Sequence, residues 1–251
     1  DGVINSVSDA RKAVRQRYKD GADNIKITAT GGVMSIAKNG QNPQFTLEEI
    51  KSICDTAKDY GMIIAAHAHG DEGGYAAIKA GVRSIEHGTY LSEKSLKLMK
   101  KMGTYLVPTF TTVVDLTEPG GDYDNPILFI RGQHMLPALE NTVTMAYDLG
   151  IKIVTGADTG YGPNSTTRVG MEITNFVRLG MKPMDAIQSA TIVGAELLQI
   201  SNKTGTVEVG KEADLIVITK NPLEDIRTIQ DVVFVMSNGQ IGLNRLPFGK
   251  D

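Results

Sequence analysis

Cysteine occurs once in the 251 residues, as Cys54, so no internal disulfide can form; a reducing, cytoplasmic setting is the simplest reading. No apolar stretch approaches the ~18 consecutive residues that a membrane-spanning helix requires, and no signal peptide is seen at the start. Charge of either sign is not in excess: 26 Lys and Arg stand against 29 Asp and Glu, a formal net charge of -3. Nucleic acid or an acidic membrane surface therefore has no electrostatic reason to be a partner. No glycine-rich phosphate loop follows the first expected strand, which argues against an open, doubly wound nucleotide-binding sheet. Histidine is scarce, with four in all and none before His67. The chain opens Asp1-Gly2-Val3 without an initiating Met and enters a helical pattern at once, which suggests a processed or truncated N-terminus.

What is present is a repeat. The composition, 41% hydrophobic and 22% charged, is that of an ordinary globular protein. Five helical stretches close on Gly, and each is followed five to eight residues later by a polar side chain: Gly21 by Lys26, Gly61 by His67, Gly81 by His87, Gly103 by Thr109 and Gly150 by Asp158. A helix ending on Gly and handing over to a short apolar strand is the joint of a βα unit. Polar residues at the ends of successive parallel strands converge on one face, where barrels of this type keep their chemistry.

The expected elements are helix 8–18 with Ser8 as N-cap, strand 22–30, helix 46–60 with a Thr46/Glu49 capping box, and strand 62–68. Helix 75–80, strand 82–87, helix 93–101 and strand 105–110 follow, then a long loop with a short helix over 111–132. Helix 137–149, a fifth strand over 152–157 and helices over 168–179 and 183–198 complete the α/β part. From Gly205 the pattern changes to short strands and tight turns, with Asn238-Gly239 as a hairpin signal. Residues 1–198 are thus assigned to a (β/α) barrel portion and 199–251 to a small β module. A closed eight-stranded α/β barrel takes about 250 residues, so five βα units read as the later part of one.

Lys26 is flanked by Ile25 and Ile27 on a strand. It could snorkel to the strand end or pair with a carboxylate. It could also lose its proton when desolvated, giving a Schiff base or, with carbon dioxide, a carboxylated lysine that offers oxygen to a metal. His67 and His69 share one strand face in Ala-Ala-His-Ala-His-Gly, and His87 ends the next strand, so imidazoles could meet around one metal. Asp158 follows the fifth strand and either caps a turn or serves as metal ligand or general base. His134 falls outside the pattern and reads as surface or core filler. Arg131 and Arg168 could hold a substrate carboxylate, although each reads more simply as a solvated surface residue.

Ile25-Lys26-Ile27, Thr30 to Ser35 (Thr-Gly-Gly-Val-Met-Ser), Ala66-His67-Ala68-His69-Gly70, Ile85-Glu86-His87-Gly88-Thr89, Gly156-Ala157-Asp158-Thr159 and the run from Gly205 to Leu215 together resemble the amidohydrolase superfamily. The resemblance is to its imidazolonepropionase-like group, which includes metal-dependent Xaa-Pro and Xaa-Arg dipeptidases, and it covers nearly the whole chain. It implies strands four to eight of a (β/α)8 TIM-barrel metallo-hydrolase with part of a small flanking β-sandwich. It implies zinc, binuclear in the complete enzyme, with carboxylated Lys26 bridging two metals, His67 and His87 on the second, and Asp158 as ligand and proton shuttle. His69 and Arg168 would contact substrate. The reaction implied is cleavage of an amide or peptide bond, as in a dipeptidase or carboxypeptidase, by metal-activated hydroxide. Its partners would be a small-molecule or dipeptide substrate and further copies of the chain in a homo-oligomer.

One departure is large: the family's His-x-His pair of strand one is absent, since no His precedes His67. Completion by an N-terminal portion or a complementary chain is therefore expected. A cyclic-amide hydrolase or deaminase of the same superfamily, a non-catalytic fragment, and a Schiff-base lyase using Lys26 are the competing readings. The loops 31–44, 111–132 and 159–170 are expected to form the pocket rim.

Overall fold

The computed structural model describes residues 2–35, 40–120, 123–158 and 168–246. The chain divides into two compact units, 1–153 and 154–251, and each is described by itself.

The first unit is built on a parallel sheet of β1 (Asn24–Thr28), β2 (Ile63–Ala68), β3 (Ser84–His87) and β4 (Tyr105–Val107), hydrogen-bonded in that order. Each strand is preceded by a helix: α1 (Val7–Lys19), α2 (Leu47–Asp59), α3 (Asp71–Ala80) and α4 (Glu93–Met102). The five glycines of the repeat all adopt positive φ, from 68° at Gly150 to 100° at Gly81, which turns the chain from helix to strand. Ile25, Ile27, Ile64, Ala66, Ile85 and Leu106 are buried in the sheet, and Ile50, Ile53, Ala57, Ile78, Leu96 and Met99 are buried on the helices. Thr46 caps α2 in the expected capping box, with the Thr46 backbone N–H donating to Glu49 Oε2 at 2.8 Å.

Four local expectations change. The N-cap of α1 is Ser6, whose Oγ accepts from the Asp9 N–H at 3.0 Å, and Ser8 lies inside the helix. The described residues of 111–132 are mostly helical: α5 (Phe110–Asp115) is followed by α6 (Pro126–Asp148), with Asn125 as N-cap and Pro126 in the first turn. Pro137, read as a helix start, sits within α6, where it removes one N–H donor without ending the helix. The fifth strand is reduced to a single parallel bridge, Leu106 to Ile153, with the Leu106 N–H donating to Lys152 O at 3.0 Å.

The second unit contains α7 (Arg168–Arg178), α8 (Pro183–Ser189) and α9 (Ile192–Leu197), the last two separated at Ala190 and Thr191 where one helix was expected. An antiparallel sheet follows, β5 (Leu215–Ile218), β6 (Val232–Ser237) and β7 (Gln240–Asn244), in that order. Asn238 and Gly239, both at positive φ, make the tight turn between β6 and β7. The change from helices to strands anticipated near 196–204 thus falls inside this unit, between α9 and β5.

Candidate metal centre

Strand register assembles the site. Lys26 pairs with Ala65, Thr28 with His67, and His67 with Glu86. In a parallel sheet such neighbours point the same way, so Lys26, Thr28, His67 and Glu86 share one face, with Lys26 and His67 one strand and two residues apart. Lys26 was expected on a buried strand; it is exposed, because β1 pairs only with β2 among the described residues. His69, two residues beyond His67, returns to the same face. His87 has the opposite parity from Glu86, and regular alternation would send it among the helices. Its φ of 72° turns it instead to the strand end.

The three imidazoles meet there. Ring centroids are 4.7 Å apart for His67–His69 and His67–His87 and 4.8 Å for His69–His87. One ligand nitrogen from each lies within 4.8 Å of the others. Hydroxyls hold two of the rings. His87 Nδ1 is 2.6 Å from Thr109 Oγ1, which itself donates to Pro108 O at 2.7 Å. A carbonyl only accepts, so the hydroxyl proton is spent on Pro108 and His87 Nδ1 must donate; Nε2 then carries the ring's lone pair. His69 Nδ1 pairs with Thr89 Oγ1 at 2.8 Å. His67 Nε2 donates to Gly31 O at 3.1 Å, and Gly31 O also accepts from Thr30 Oγ1, whose oxygen takes the His69 N–H at 2.9 Å.

Burial keeps His69 and His87 neutral. The His69 pKa is lowered to about 3, chiefly by desolvation and then by His67. That of His87 is pushed well below the usual range by desolvation, then by His69, His67 and Lys26. Neutral imidazoles oriented through one ring nitrogen are the form that ligates a divalent metal through the other; His69 and His87, tied at Nδ1, offer Nε2, and His67, donating from Nε2, offers Nδ1, so this donor set fits one. Lys26 is close enough for its charge to act on His87.

Asp158, in the second unit, has φ 42°, and its carbonyl accepts from Arg168 Nη1 at 2.8 Å. Arg168, read as a substrate contact or a solvated surface residue, is fully buried, as is Glu172 one turn on. Arg131 is half-buried and donates through Nη1 to Val33 O and Ser35 O. His134 is exposed, in keeping with the surface reading, and its Nδ1 pairs with Tyr90 OH at 2.9 Å. Thr89 and Thr109 as supports of the histidines were missed. For Thr109 the signal existed, because it occupies the same place after Gly103 that His87 occupies after Gly81. Of the expected rim loops, 36–39, 121–122 and 159–167 lie outside the described residues.

Residues 2–242 match the amidohydrolase family. The chain is 35% identical to ochratoxinase from Aspergillus niger over 263 residues, covering 99% of this chain and 52% of that protein. It is similar in structure to a Xaa-Pro dipeptidase solved with methionine bound in the active site, with TM-score 0.88, 46% identity, and coverage of 96% of this chain and 59% of that one. A putative prolidase from Bifidobacterium longum gives TM-score 0.84 at 33% identity, covering 94% of this chain and 59% of that one. The chain thus spans about half the length of the curated relatives it matches. A family match over nearly every residue, arrived at beside three clustered imidazoles on parallel strand ends, places the chain in the amidohydrolase family, with the α/β TIM-barrel metallo-hydrolase fold.

Proposed function

We propose that this chain carries part of the active site of a metal-dependent hydrolase that cleaves the amide bond of dipeptides or N-acyl amino acids. The observation that carries the reading is the triad of imidazoles, half-buried His67 with buried His69 and His87, with ligand atoms within 4.8 Å at the ends of adjacent parallel strands. The names of the relatives, an ochratoxinase and Xaa-Pro dipeptidases, support the same chemistry. In this proposal His67, His87 and a carboxylated Lys26 hold zinc, Asp158 completes the set, and further ligands come from polypeptide outside these 251 residues. The metal would supply Lewis acidity toward the amide carbonyl and a lowered pKa for water.

The chain's own residues have defined tasks. Thr109 fixes the His87 ring through Nδ1, and Thr89 does the same for His69. His69 faces the substrate. The Asp158 carboxylate accepts a proton and returns it to the leaving nitrogen, so that an amine rather than an amide anion departs. The domain boundary is proposed at 198/199, the zinc as binuclear in the complete enzyme, the assembly as a homo-oligomer, and the location as cytoplasmic. No described helix is long and apolar enough to cross a membrane. The test is metal analysis of purified protein with a dipeptide and N-acyl amino acid screen in the presence of zinc. In protein that includes the polypeptide supplying the further ligands, stoichiometric zinc with hydrolysis is expected; absence of bound metal and of hydrolysis there would remove the proposal.

A further inference from the structure

Beside the imidazoles lies a recess of about 340 Å³, at the small end of the range for ligand sites. His69 is common to both, so a molecule in the recess reaches the imidazole cluster. Its lining includes the apolar Val33, Ile130 and Met135 and the polar Arg131, Tyr90 and His134. Arg131 is the informative residue. Its Nη1 serves the carbonyls of Val33 and Ser35, which fixes the guanidinium in place. Among the described residues no carboxylate pairs with it, and its Nε and Nη2 have no acceptor. A fixed, half-buried cation without a counter-charge favours an anion, and a guanidinium fork suits a carboxylate. Tyr90 and His134, joined at 2.9 Å, add hydroxyl and imidazole hydrogen-bonding groups beside it.

We propose that this recess binds the amino-acid half of the substrate: Arg131 takes the α-carboxylate, and Val33, Ile130 and Met135 contact an apolar side chain. This rests on the hydrolase reading and specifies its substrate class. In an N-acyl amino acid or dipeptide the scissile nitrogen is two bonds from the carboxylate carbon, so anchoring that carboxylate beside His69 leaves the amide at the imidazole cluster. The preferred substrates carry a free terminal carboxylate and an apolar terminal residue. Neutral amides of the same shape bind more weakly.

The test compares N-acetyl-L-leucine with N-acetyl-L-leucinamide by calorimetry on the purified protein with chelator present, so that binding is read without turnover. The acid is expected to bind at least about tenfold more tightly than the amide, as a charge-assisted contact provides. Arg131→Met should collapse that ratio. Because Arg131 also ties down Val33 and Ser35, a second variant is needed: Ile130 is 66% exposed, so Ile130→Asp should fold normally while its carboxylate opposes an anion in the recess. It should lower the ratio as well. Equal binding of acid and amide by the unsubstituted protein, or a ratio unmoved by both variants, overturns the assignment. Acid preference with no cleavage of any dipeptide or N-acyl amino acid after zinc is restored would leave the recess assignment standing and remove the hydrolase reading. Cleavage without acid preference would do the reverse.

Discussion

Replacing Thr109 with Val removes one hydroxyl while keeping a β-branched side chain of nearly the same shape. Thr109 is buried at 5% exposure, so water does not easily take the hydroxyl's place. Its oxygen accepts from His87 Nδ1 at 2.6 Å. The variant therefore leaves a buried ring N–H without a partner, at a cost of about 1–3 kcal/mol. With a urea slope of roughly 2–3 kcal/mol per molar, the unfolding midpoint should fall by about 0.3–1.5 M. The second effect is on metal binding. Without the hydroxyl, neither the ring orientation of His87 nor its tautomer is fixed, and loss of such a supporting contact typically weakens metal affinity by about 10–100-fold. The two effects separate in the Thr109→Ser variant, which restores the hydroxyl with less bulk. Serine should recover the zinc affinity, measured by competition with a chromogenic chelator, more completely than it recovers the urea midpoint. If Thr109→Val binds zinc as tightly as the unsubstituted protein, Thr109 does not orient a metal ligand and the tautomer assignment for His87 is wrong.

Helix α1 offers a paired test of its cap: Ser6→Ala should cost about 1 kcal/mol in urea unfolding and Ser8→Ala close to nothing. Equal effects would return the cap to Ser8. Within α3, a Cβ on Gly73 would meet Ala29 O at 2.7 Å and Thr30 Cγ2 at 2.6 Å, whereas one on Gly74 would meet chiefly the Leu91 side-chain tip at 2.6 Å. Alanine in place of helical glycine gains up to about 1 kcal/mol, and overpacking costs about 1–3. Gly73→Ala should therefore be net destabilising and clearly worse than Gly74→Ala, as calorimetric melting would show. For pH, the folded pKa of His69, about 3, lies below the unfolded value near 6.5, so the unfolded chain takes up the proton first. Its stabilising effect is complete above pH 6.5 and is lost as the pH falls towards 3. In chelated protein His69 alone should remove about 2 kcal/mol between pH 7.5 and pH 5, and His69→Gln should flatten that dependence. A wild-type urea midpoint independent of pH over this range would refute it.

Much of the fold was legible because βα units announce themselves twice, by a glycine at positive φ and by a polar residue five to eight positions after it. Gly61 with His67 and Gly81 with His87 are read correctly on that rule alone. The signal failed where a residue with two meanings was given one. Pro137 reads as a helix start, yet with Asn125 and Pro126 already forming a good start the helix runs through it. Residues 152–157 are apolar enough for a strand, but a strand needs a ladder, and only Leu106 bridges to Ile153. Side-chain identity could not show that Tyr90 and His134, 44 residues apart, form a pair, or that Arg131 is fixed by the loop carbonyls of Val33 and Ser35. Those relations depend on how a loop and a helix face one another, which no local period encodes.

The strained residues give a further reason to connect the strand ends with chemistry. Five non-glycine residues have positive φ among those described, and three of them, His87, Thr109 and Asp158, end successive units of the repeat. Such a conformation costs about 1–3 kcal/mol at each position and glycine would avoid it, so each side chain must contribute something that glycine cannot. For His87 the contribution is visible. Regular alternation would bury its ring among the helices, whereas the left-handed turn brings it to within 4.7 Å of His67, centroid to centroid. The turn is held from outside the residue: the Gly88 N–H donates to Ala68 O at 2.9 Å and the Tyr90 N–H to His69 O at 2.9 Å. Thr109 accepts the same strain and uses its hydroxyl to fix the ring that His87 presents. The sheet thus extends its hydrogen bonding past the last regular strand residue, and those bonds hold His87 in a backbone geometry that the residue would not adopt by itself.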